Sequence, residues 1–228
     1  MRFQLITSVA LVSISLLSIS ACAEQLKPVT PIKTLASERA IDIDSAQAAL
    51  MQRLAQTSFF SANFSQQVFD EQHNELQQSQ GKLVVKKPTM VYWQTTQPDA
   101  SLIVSDGDDL WFYDPFIEQA TVYTVDASIA NTPILLLTST DEKLWQQYQI
   151  SQKNSDSYEI NSKDVNSRVS KLTLEFVKDS AQLARFIILD STGQTSVVTL
   201  SQVDDSSVID DKMFDFTLPQ GTYLDDQR

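Results

Sequence analysis

Apolar and aromatic residues come in short clusters along the middle of this chain, and polar turns separate them. Between residues 81 and 123 the clusters are three to five residues long, as in MVYW and LWFY, and Pro88, Pro98 and Gly107 lie between them. Short apolar runs bounded by Pro, Gly and Asp are typical of β-strands joined by tight turns. This stretch therefore predicts an antiparallel meander that carries much of the chain's aromatic surface.

After residue 148, apolar and polar residues alternate with a period of two. Leu172, Leu174 and Phe176 alternate with polar residues, and similar alternation recurs around residues 186, 198 and 214. Near the start, Phe60 and Phe64 are four residues apart and so fall on one face of a further strand. The chain shows no alternation of strands with long helices and no internal repeat. It is thus predicted to be mainly β.

Helical spacing is confined to short segments. Ala46, Leu50 and Leu54 recur at intervals of four, and Asp44 with Gln47 resembles a capping box, which predicts a helix over about 45–57. The segment NTPILLL predicts a second, short helix. Its first residues can cap a helix, its proline suits the first turn, and its apolar residues 134–137 form a cluster. A further short turn is predicted over 141–145.

The N-terminus has the pattern of a secretory signal peptide: Arg2, an apolar segment rich in serine, then small residues. Two processing sites overlap at its end. Ala21-Cys22-Ala23 fits cleavage before Glu24, whereas the same cysteine completes a lipobox-like sequence and could become a lipidated N-terminus. The predicted organisation is a signal peptide over 1–23, a flexible extension over 24–43 with no assigned role, and a single domain over 44–228.

Composition excludes several classes of function. The formal net charge is −12, and removal of Arg2 makes it one unit more negative, which argues against binding to nucleic acid or to anionic lipid headgroups. Four glycines provide no phosphate-binding loop and no dinucleotide fingerprint. A cleaved chain would lack cysteine, so disulfides would contribute nothing and the core must hold the fold. No cofactor is expected.

Catalytic and metal sites also find little support. The only histidine, His73, lies in a polar run, and no G-x-S-x-G sequence is present. A turn is the interpretation for the acidic cluster of Asp106, Asp108 and Asp109, so no metal site is predicted. A glycosidase with two carboxylates stays open because the spacing of carboxylates in space is invisible in a sequence. We expect a protein that is not an enzyme.

Five blocks resemble the LolA family of periplasmic carriers of outer-membrane lipoproteins, in the family's order and spacing. They are VKKPTMVYWQTTQPD, LIVSDGDDLWFYDPFIEQATVY, NTPILLL, WQQYQI and PQGTYLDDQR. The resemblance implies a strongly curved antiparallel sheet of about ten or eleven strands, an unclosed half-barrel whose concave side is covered by short helices. These helices would act as a lid over a hydrophobic cavity.

The resemblance also implies a function. A monomeric periplasmic chaperone would accept lipoproteins from an inner-membrane transporter of the LolCDE type, hold their acyl chains and deliver them to a LolB-type outer-membrane receptor. The implied cavity is lined by apolar residues of the first helix, the strands and the lid: Leu50, Leu54, Phe60, Phe64, Val91, Trp93, Leu102, Val104, Trp111, Leu135, Leu136, Leu137, Phe186 and Ile188.

Two positions depart from the family's pattern. Lys87 stands where the family has an arginine implicated in lid contacts and cargo transfer. The resemblance therefore implies that Lys87 is the lid latch and transfer residue, without the planar fork of a guanidinium. Val91 replaces a phenylalanine of well-known members. Two alternatives stay open: an anchored LolB-like receptor lipidated at Cys22, and a periplasmic hydrolase of lipid or glycan.

Overall fold

The computed structural model describes residues 45–128 and 132–228. The predicted signal peptide, the whole of the predicted extension and the predicted cap Asp44 lie outside them. The described chain forms one sheet of twelve strands. The strands are β1 (Phe59–Phe69), β2 (Glu75–Lys86), β3 (Met90–Gln97), β4 (Ser101–Asp106), β5 (Asp109–Asp114), β6 (Gln119–Thr124), β7 (Tyr148–Asn154), β8 (Ser157–Ser162), β9 (Val169–Phe176), β10 (Leu183–Asp190), β11 (Thr195–Asp204) and β12 (Tyr223–Asp226).

Short helices connect or precede these strands. They are α1 (45–55), α2 (Val125–Ser128), α3 (Pro133–Thr138) and α4 (Glu142–Trp145), and a 3₁₀ helix covers Asp211–Phe214. The predicted first helix is two residues too long at its C-terminal end. At α3 the cap position is Thr132, whose side chain makes no capping hydrogen bond, whereas Asp141 caps α4 by accepting from the Lys143 amide. No helix in 45–128 or 132–228 is long and apolar enough to span a membrane.

The sheet is open, as predicted. Its strand order is β12-β6-β5-β4-β3-β2-β1-β11-β10-β9-β8-β7, so the two end strands do not pair with each other. The prediction of ten or eleven antiparallel strands is one or two short of the twelve observed, and it did not include the parallel strand β12. β12 pairs in parallel with β6, with Tyr223 opposite Gln119. Four residues near a chain end carry too short an alternation to be recognised as a strand.

Strand register divides the apolar residues between two faces. We call the side that carries α1, α3 and α4 the inner face, and the opposite side the outer face. Trp93 lies opposite Ile103, and Ile103 lies opposite Phe112, so these three point inward together. Their neighbours along each strand point outward. The inner face forms one large core with the three helices.

The C-terminal segment covers part of the outer face. Phe214 of the 3₁₀ helix is buried, and the Phe216 ring lies 5.0 Å from the Trp111 ring. A salt bridge joins Lys86 of β2 to Asp211, and another joins Arg228 to Asp109 at 2.8 Å. Both faces of the β2–β6 half of the sheet are therefore packed.

Gly81 allows two elements to approach closely. A Cβ atom placed on it would lie 1.8 Å from the Gln94 carbonyl oxygen and 2.8 Å from the Phe64 ring. Separations of this size are repulsive and cannot be relieved by turning a flexible side chain, because one partner is backbone. Gly81 thus lets β2, β3 and the Phe64 ring pack against one another beneath the inner face.

Candidate functional site

An apolar cleft opens where α1 and α3 meet the inner face. Leu54 of α1, Ile134 and Leu137 of α3, and strand residues such as Val85 and Leu183 line it. Its cavity volume is about 40 Å³. That is room for a few water molecules, not for a lipid chain. Admission of any larger apolar molecule therefore requires α1 or α3 to move.

The helix α3 fills most of the space above the sheet. Ile134, Leu135, Leu136 and Leu137 are all buried, with exposures between 0 and 6%. Four consecutive buried residues place apolar side chains on every side of a single helical turn, which only occurs when a short helix is sunk into a core. The helix thus covers apolar surface that would otherwise face water.

Three aromatic rings form the floor beneath the helices. The Phe64 and Trp93 ring centroids are 4.5 Å apart, and those of Trp93 and Phe186 are 6.1 Å apart. These rings come from β1, β3 and β10, which are distant in sequence. Aromatic pairs at these separations stabilise a fold beyond their buried area. The floor therefore ties the two halves of the sheet together below the cleft.

Eleven of the fourteen residues predicted to line a cavity come together on the inner face. Eight belong to its buried core, and the other three pack against that core while partly exposed. The buried group is Leu50, Phe64, Val91, Trp93, Leu135, Leu136, Leu137 and Phe186, and the partly buried group is Leu54, Phe60 and Ile188. Whether acyl chains contact them stays a prediction.

The prediction was wrong for the other three. Leu102, Val104 and Trp111 lie on the outer face of the sheet, not on the inner face. Leu102 and Val104 flank the inward-pointing Ile103 of β4, so both point outward, and Val104 lies opposite Trp111 of β5. The prediction chose Trp111 for its aromatic ring. Its neighbours Leu110 and Phe112 are the inward residues, because Phe112 pairs with the inward-pointing Ile103 and Leu110 pairs with Ser105 across the β4–β5 turn.

Lys87 holds the C-terminal end of α1 to the β2–β3 turn. Its ammonium group donates a hydrogen bond to the Leu54 carbonyl oxygen, and its backbone amide donates to the Ser58 carbonyl at 2.8 Å. Burial lowers the pKa of Lys87 because removal from water disfavours the charged form. The predicted latch residue therefore lies at the cleft and contacts a covering helix, and its role in transfer stays a prediction.

Arg53 was not predicted, yet it makes the most extensive polar contacts of α1. Its guanidinium donates to Asp156 Oδ1 at 2.7 Å, to the Ser155 carbonyl at 2.6 Å and to the Ser180 carbonyl at 2.8 Å. It also lies 4.5 Å from the centre of the Phe176 ring. An arginine within an otherwise apolar helical stripe was the available signal, since such a residue needs partners when buried.

Asp156 makes this contact sensitive to acid. The hydrogen bond from Arg53, with help from Ser155, lowers the pKa of Asp156 to about 2. A carboxylate whose pKa falls on folding stabilises the protein above its unfolded pKa of about 4 and loses that contribution as pH falls toward 2.

We expect the difference in stability between the wild type and Asp156→Asn to be largest near neutral pH and to shrink between pH 4 and 2. Urea midpoints at a series of pH values measure it, and the subtraction cancels the other carboxylates. A difference that stays constant down to pH 2 would contradict the low pKa.

The other candidate polar groups form turns. His73 is exposed, has a φ of 65°, and donates its backbone amide to the Asp70 carbonyl. Asp106 accepts from the amides of Asp108 and Asp109. Within the described ranges no three His, Cys, Asp or Glu side chains are placed to share a metal ion.

Comparison with known proteins gives a consistent family. Residues 55–217 match the family model described as outer membrane lipoprotein carrier protein LolA. A curated "outer-membrane lipoprotein carrier protein" of Aeromonas salmonicida is 38% identical over 183 residues, covering 80% of this chain and 90% of that protein. The protein of the same name from Actinobacillus pleuropneumoniae is 39% identical over 181 residues, covering 79% and 84%.

Solved structures align with this chain at low sequence identity. An uncharacterized conserved protein of Thermus thermophilus aligns with a TM-score of 0.50 and 10% identity, covering 80% of this chain and 99% of that one. A LolA superfamily protein from Nitrosomonas europaea aligns with a TM-score of 0.48 and 14% identity, covering 77% and 98%. At such identities these likenesses describe the fold alone.

Proposed function

The chain belongs to the LolA family of outer-membrane lipoprotein carrier proteins, and from this premise we propose that it carries lipoproteins across the periplasm with their acyl chains held on its inner face. The observation that supports this most directly is the apolar cleft closed by α1 and α3. Its lining is mainly hydrophobic, and it is covered by these two short helices.

The energetics of acyl chains explain why a carrier is needed. At ~0.8 kcal/mol per buried methylene, one chain of ordinary length is held in a bilayer by on the order of 10 kcal/mol. Several chains on one lipoprotein make spontaneous release negligible. A carrier must therefore offer a dry apolar surface of comparable area and still give up the load. Lid helices that refill the site on release reduce the cost of exposing that surface.

Movement of the covering helices is a necessary part of this function. The cleft of about 40 Å³ is far too small for acyl chains, so α1 or α3 must move when cargo enters. The Lys87 side chain joins the β2–β3 turn to α1 through one hydrogen bond, to the Leu54 carbonyl. Because one hydrogen bond is easily broken, this contact supports a movable helix. We propose that this bond breaks on opening, and that lysine in place of arginine makes it a weaker latch.

Energy and direction come from partners in this proposal. The sequence has no nucleotide-binding loop. An inner-membrane ABC transporter of the LolCDE type would load the carrier, and a LolB-type receptor would unload it. The carrier itself would act as a monomer, bind without a cofactor and catalyse no reaction on its cargo. The cavity-lining role proposed for the inner-face residues follows from the same model.

Localisation and processing complete the proposal. Residues 1–23 would be a cleaved signal peptide that directs the protein to the periplasm of a Gram-negative cell, 24–43 an extension, and 44–228 the carrier domain. The alternative is a LolB-like receptor anchored through Cys22, which the lipobox-like sequence favours. A carrier that shuttles between membranes cannot be anchored to one, so the two proposals exclude each other.

The deciding experiment adds the purified mature protein to spheroplasts of its host and measures lipoproteins released into the medium. We expect release that depends on the protein, a soluble complex of protein and lipoprotein, and an intact mass that begins at Glu24 without lipid. A diacylated or triacylated mass at Cys22 would support the receptor instead. Absence of release together with turnover of a lipid or glycan substrate would support an enzyme.

A further inference from the structure

Two consecutive residues at the end of α1 contact opposite sides of the cleft. We call β1–β3 the near wall and β7–β10 the far wall. The Leu54 carbonyl accepts a hydrogen bond from Lys87, which lies in the β2–β3 turn of the near wall. The Arg53 guanidinium donates hydrogen bonds to the turns of the far wall. The helix therefore spans the mouth of the half-barrel, and the mouth cannot widen unless one of these two contacts breaks.

The contact with the far wall is the more extensive one. The β7–β8 turn supplies the Ser155 carbonyl and the Asp156 carboxylate, and the β9–β10 turn supplies the carbonyls of Val177, at 3.3 Å, and Ser180. A planar guanidinium can satisfy several acceptors at once, and bonds that involve two charged groups are the stronger kind. These bonds fix both the position and the orientation of α1 relative to the far wall.

The acceptors themselves are held in place. Asp156 Oδ1 also accepts from the Asp179 amide at 3.1 Å, so one carboxylate joins the two turns, and the Phe176 amide donates to the Asp156 carbonyl at 2.9 Å. Phe176 is buried beside the cleft, and the guanidinium stacks over its ring. Arg53 therefore bonds to two turns that are themselves joined by hydrogen bonds.

The contact with the near wall is weaker by comparison. The Lys87 ammonium has one hydrogen bond within residues 45–128 and 132–228, made to an uncharged carbonyl, and burial already disfavours its charge. The chain between α1 and β1 is only residues 56–58, where the helical hydrogen bonds end. A rotation there would separate Leu54 from Lys87 without disturbing any bond of the Arg53 guanidinium.

We infer that Arg53 is a positioning residue that makes α1 part of the far wall, so that the cleft opens at the near wall by release of Leu54 from Lys87. This inference rests on the proposed carrier function and assigns its moving parts. Cargo would enter between α1 and the β2–β3 turn. The face of α1 that lines the cleft would stay against the far wall and remain in contact with the acyl chains.

Distances between spin labels test this assignment. Gln52, Lys178 and Asp108 are exposed on α1, the β9–β10 turn and the β4–β5 turn respectively. Each pair that includes Gln52 is converted to cysteine in a Cys22→Ser background, so that the labels have unique sites. The probe is a synthetic triacylated lipopeptide. On its addition we expect the Gln52–Asp108 distance to lengthen and the Gln52–Lys178 distance to stay unchanged.

Two matched variants separate positioning from simple stabilisation. In Lys87→Met without lipopeptide, the Gln52–Asp108 distribution should shift to longer distances while Gln52–Lys178 stays narrow. In Arg53→Met, Gln52–Lys178 should broaden and lengthen. Arg53→Lys keeps the charge but cannot bond all of these oxygens at once, so it should broaden that distance less, and it replaces Arg53→Met if the latter does not fold. A lower Tm alone would not change which distance responds.

The inference is overturned if the lipopeptide lengthens Gln52–Lys178 in the wild type, or if neither Arg53 variant alters that distance. Failure of the wild type to bind the lipopeptide would instead count against the proposed function. The variants without lipopeptide would still decide whether Arg53 or Lys87 holds α1, so the two failures are distinguishable.

Discussion

Leu136→Glu is expected to abolish tight binding of an acylated lipopeptide and to destabilise the protein strongly. Leu136 lies in the middle of α3 and is 3% exposed among apolar neighbours. A carboxylate there has no charged partner, and an unpaired buried charge costs several kcal/mol, roughly 3 or more. The protein can avoid this cost only by turning α3 out of the inner face, which leaves apolar surface in water.

Binding suffers for the same reason as stability. Acyl chains cannot solvate a carboxylate. When cargo is bound, α3 of the variant must therefore either bury its charge against the methylene groups or move away and leave the acyl chains uncovered. A loss of about 3 kcal/mol corresponds to an affinity about a hundredfold lower. Fluorescence titration with a labelled triacylated lipopeptide measures this, and urea unfolding measures the stability. We also expect increased binding of a hydrophobic dye without cargo, because the inner face becomes exposed.

Thr140→Glu is the matched control because it adds the same charge two residues after α3 at an exposed position. It should leave both lipopeptide affinity and the urea midpoint close to those of the wild type. Equal losses in the two variants would mean that net charge near the lid matters and burial does not. A Leu136→Glu protein that binds normally would remove α3 from the cargo site.

The sheet and its lid were predictable because their signals are local. Each strand needs only a few alternating residues between turn formers, and the NTPILLL segment carries its own cap position, proline and apolar cluster. The resemblance to a family then supplied the curvature that no local pattern specifies. β12 was missed because its pairing with β6 is set by the path of the C-terminal segment, which covers the outer face first.

The site was predicted less completely because face and partner depend on register. Alternation within one strand says which residues share a side, but the side itself is fixed only by pairing, as Trp93 opposite Ile103 shows. Trp111 was assigned inward on the strength of its ring, while the C-terminal segment provides Phe216 to cover it outside. Arg53 was missed since its acceptors lie more than a hundred residues away.

Trp93→Ala is expected to cost about 3–5 kcal/mol of unfolding free energy, the usual range when a buried tryptophan is truncated. Trp93 is 9% exposed and contacts the rings of Phe64 and Phe186, so its removal opens a void in the floor of the inner face. Trp111→Ala is the matched control on the outer face. Because Trp111 is only partly buried, we expect a smaller cost of about 1–2 kcal/mol.

The effect of lipopeptide on Tm should differ more between the two tryptophan variants than their unfolding free energies do. A void beneath the cleft is space that acyl methylenes can fill, and each buried methylene contributes ~0.8 kcal/mol. A ligand that binds the native state raises Tm by an amount that grows with the logarithm of its affinity. At saturating lipopeptide, the rise in Tm should therefore be larger for Trp93→Ala than for the wild type, and unchanged for Trp111→Ala. Equal rises in all three proteins would show that acyl chains do not reach the aromatic floor, and the binding surface would then be restricted to the mouth between α1 and the β2–β3 turn.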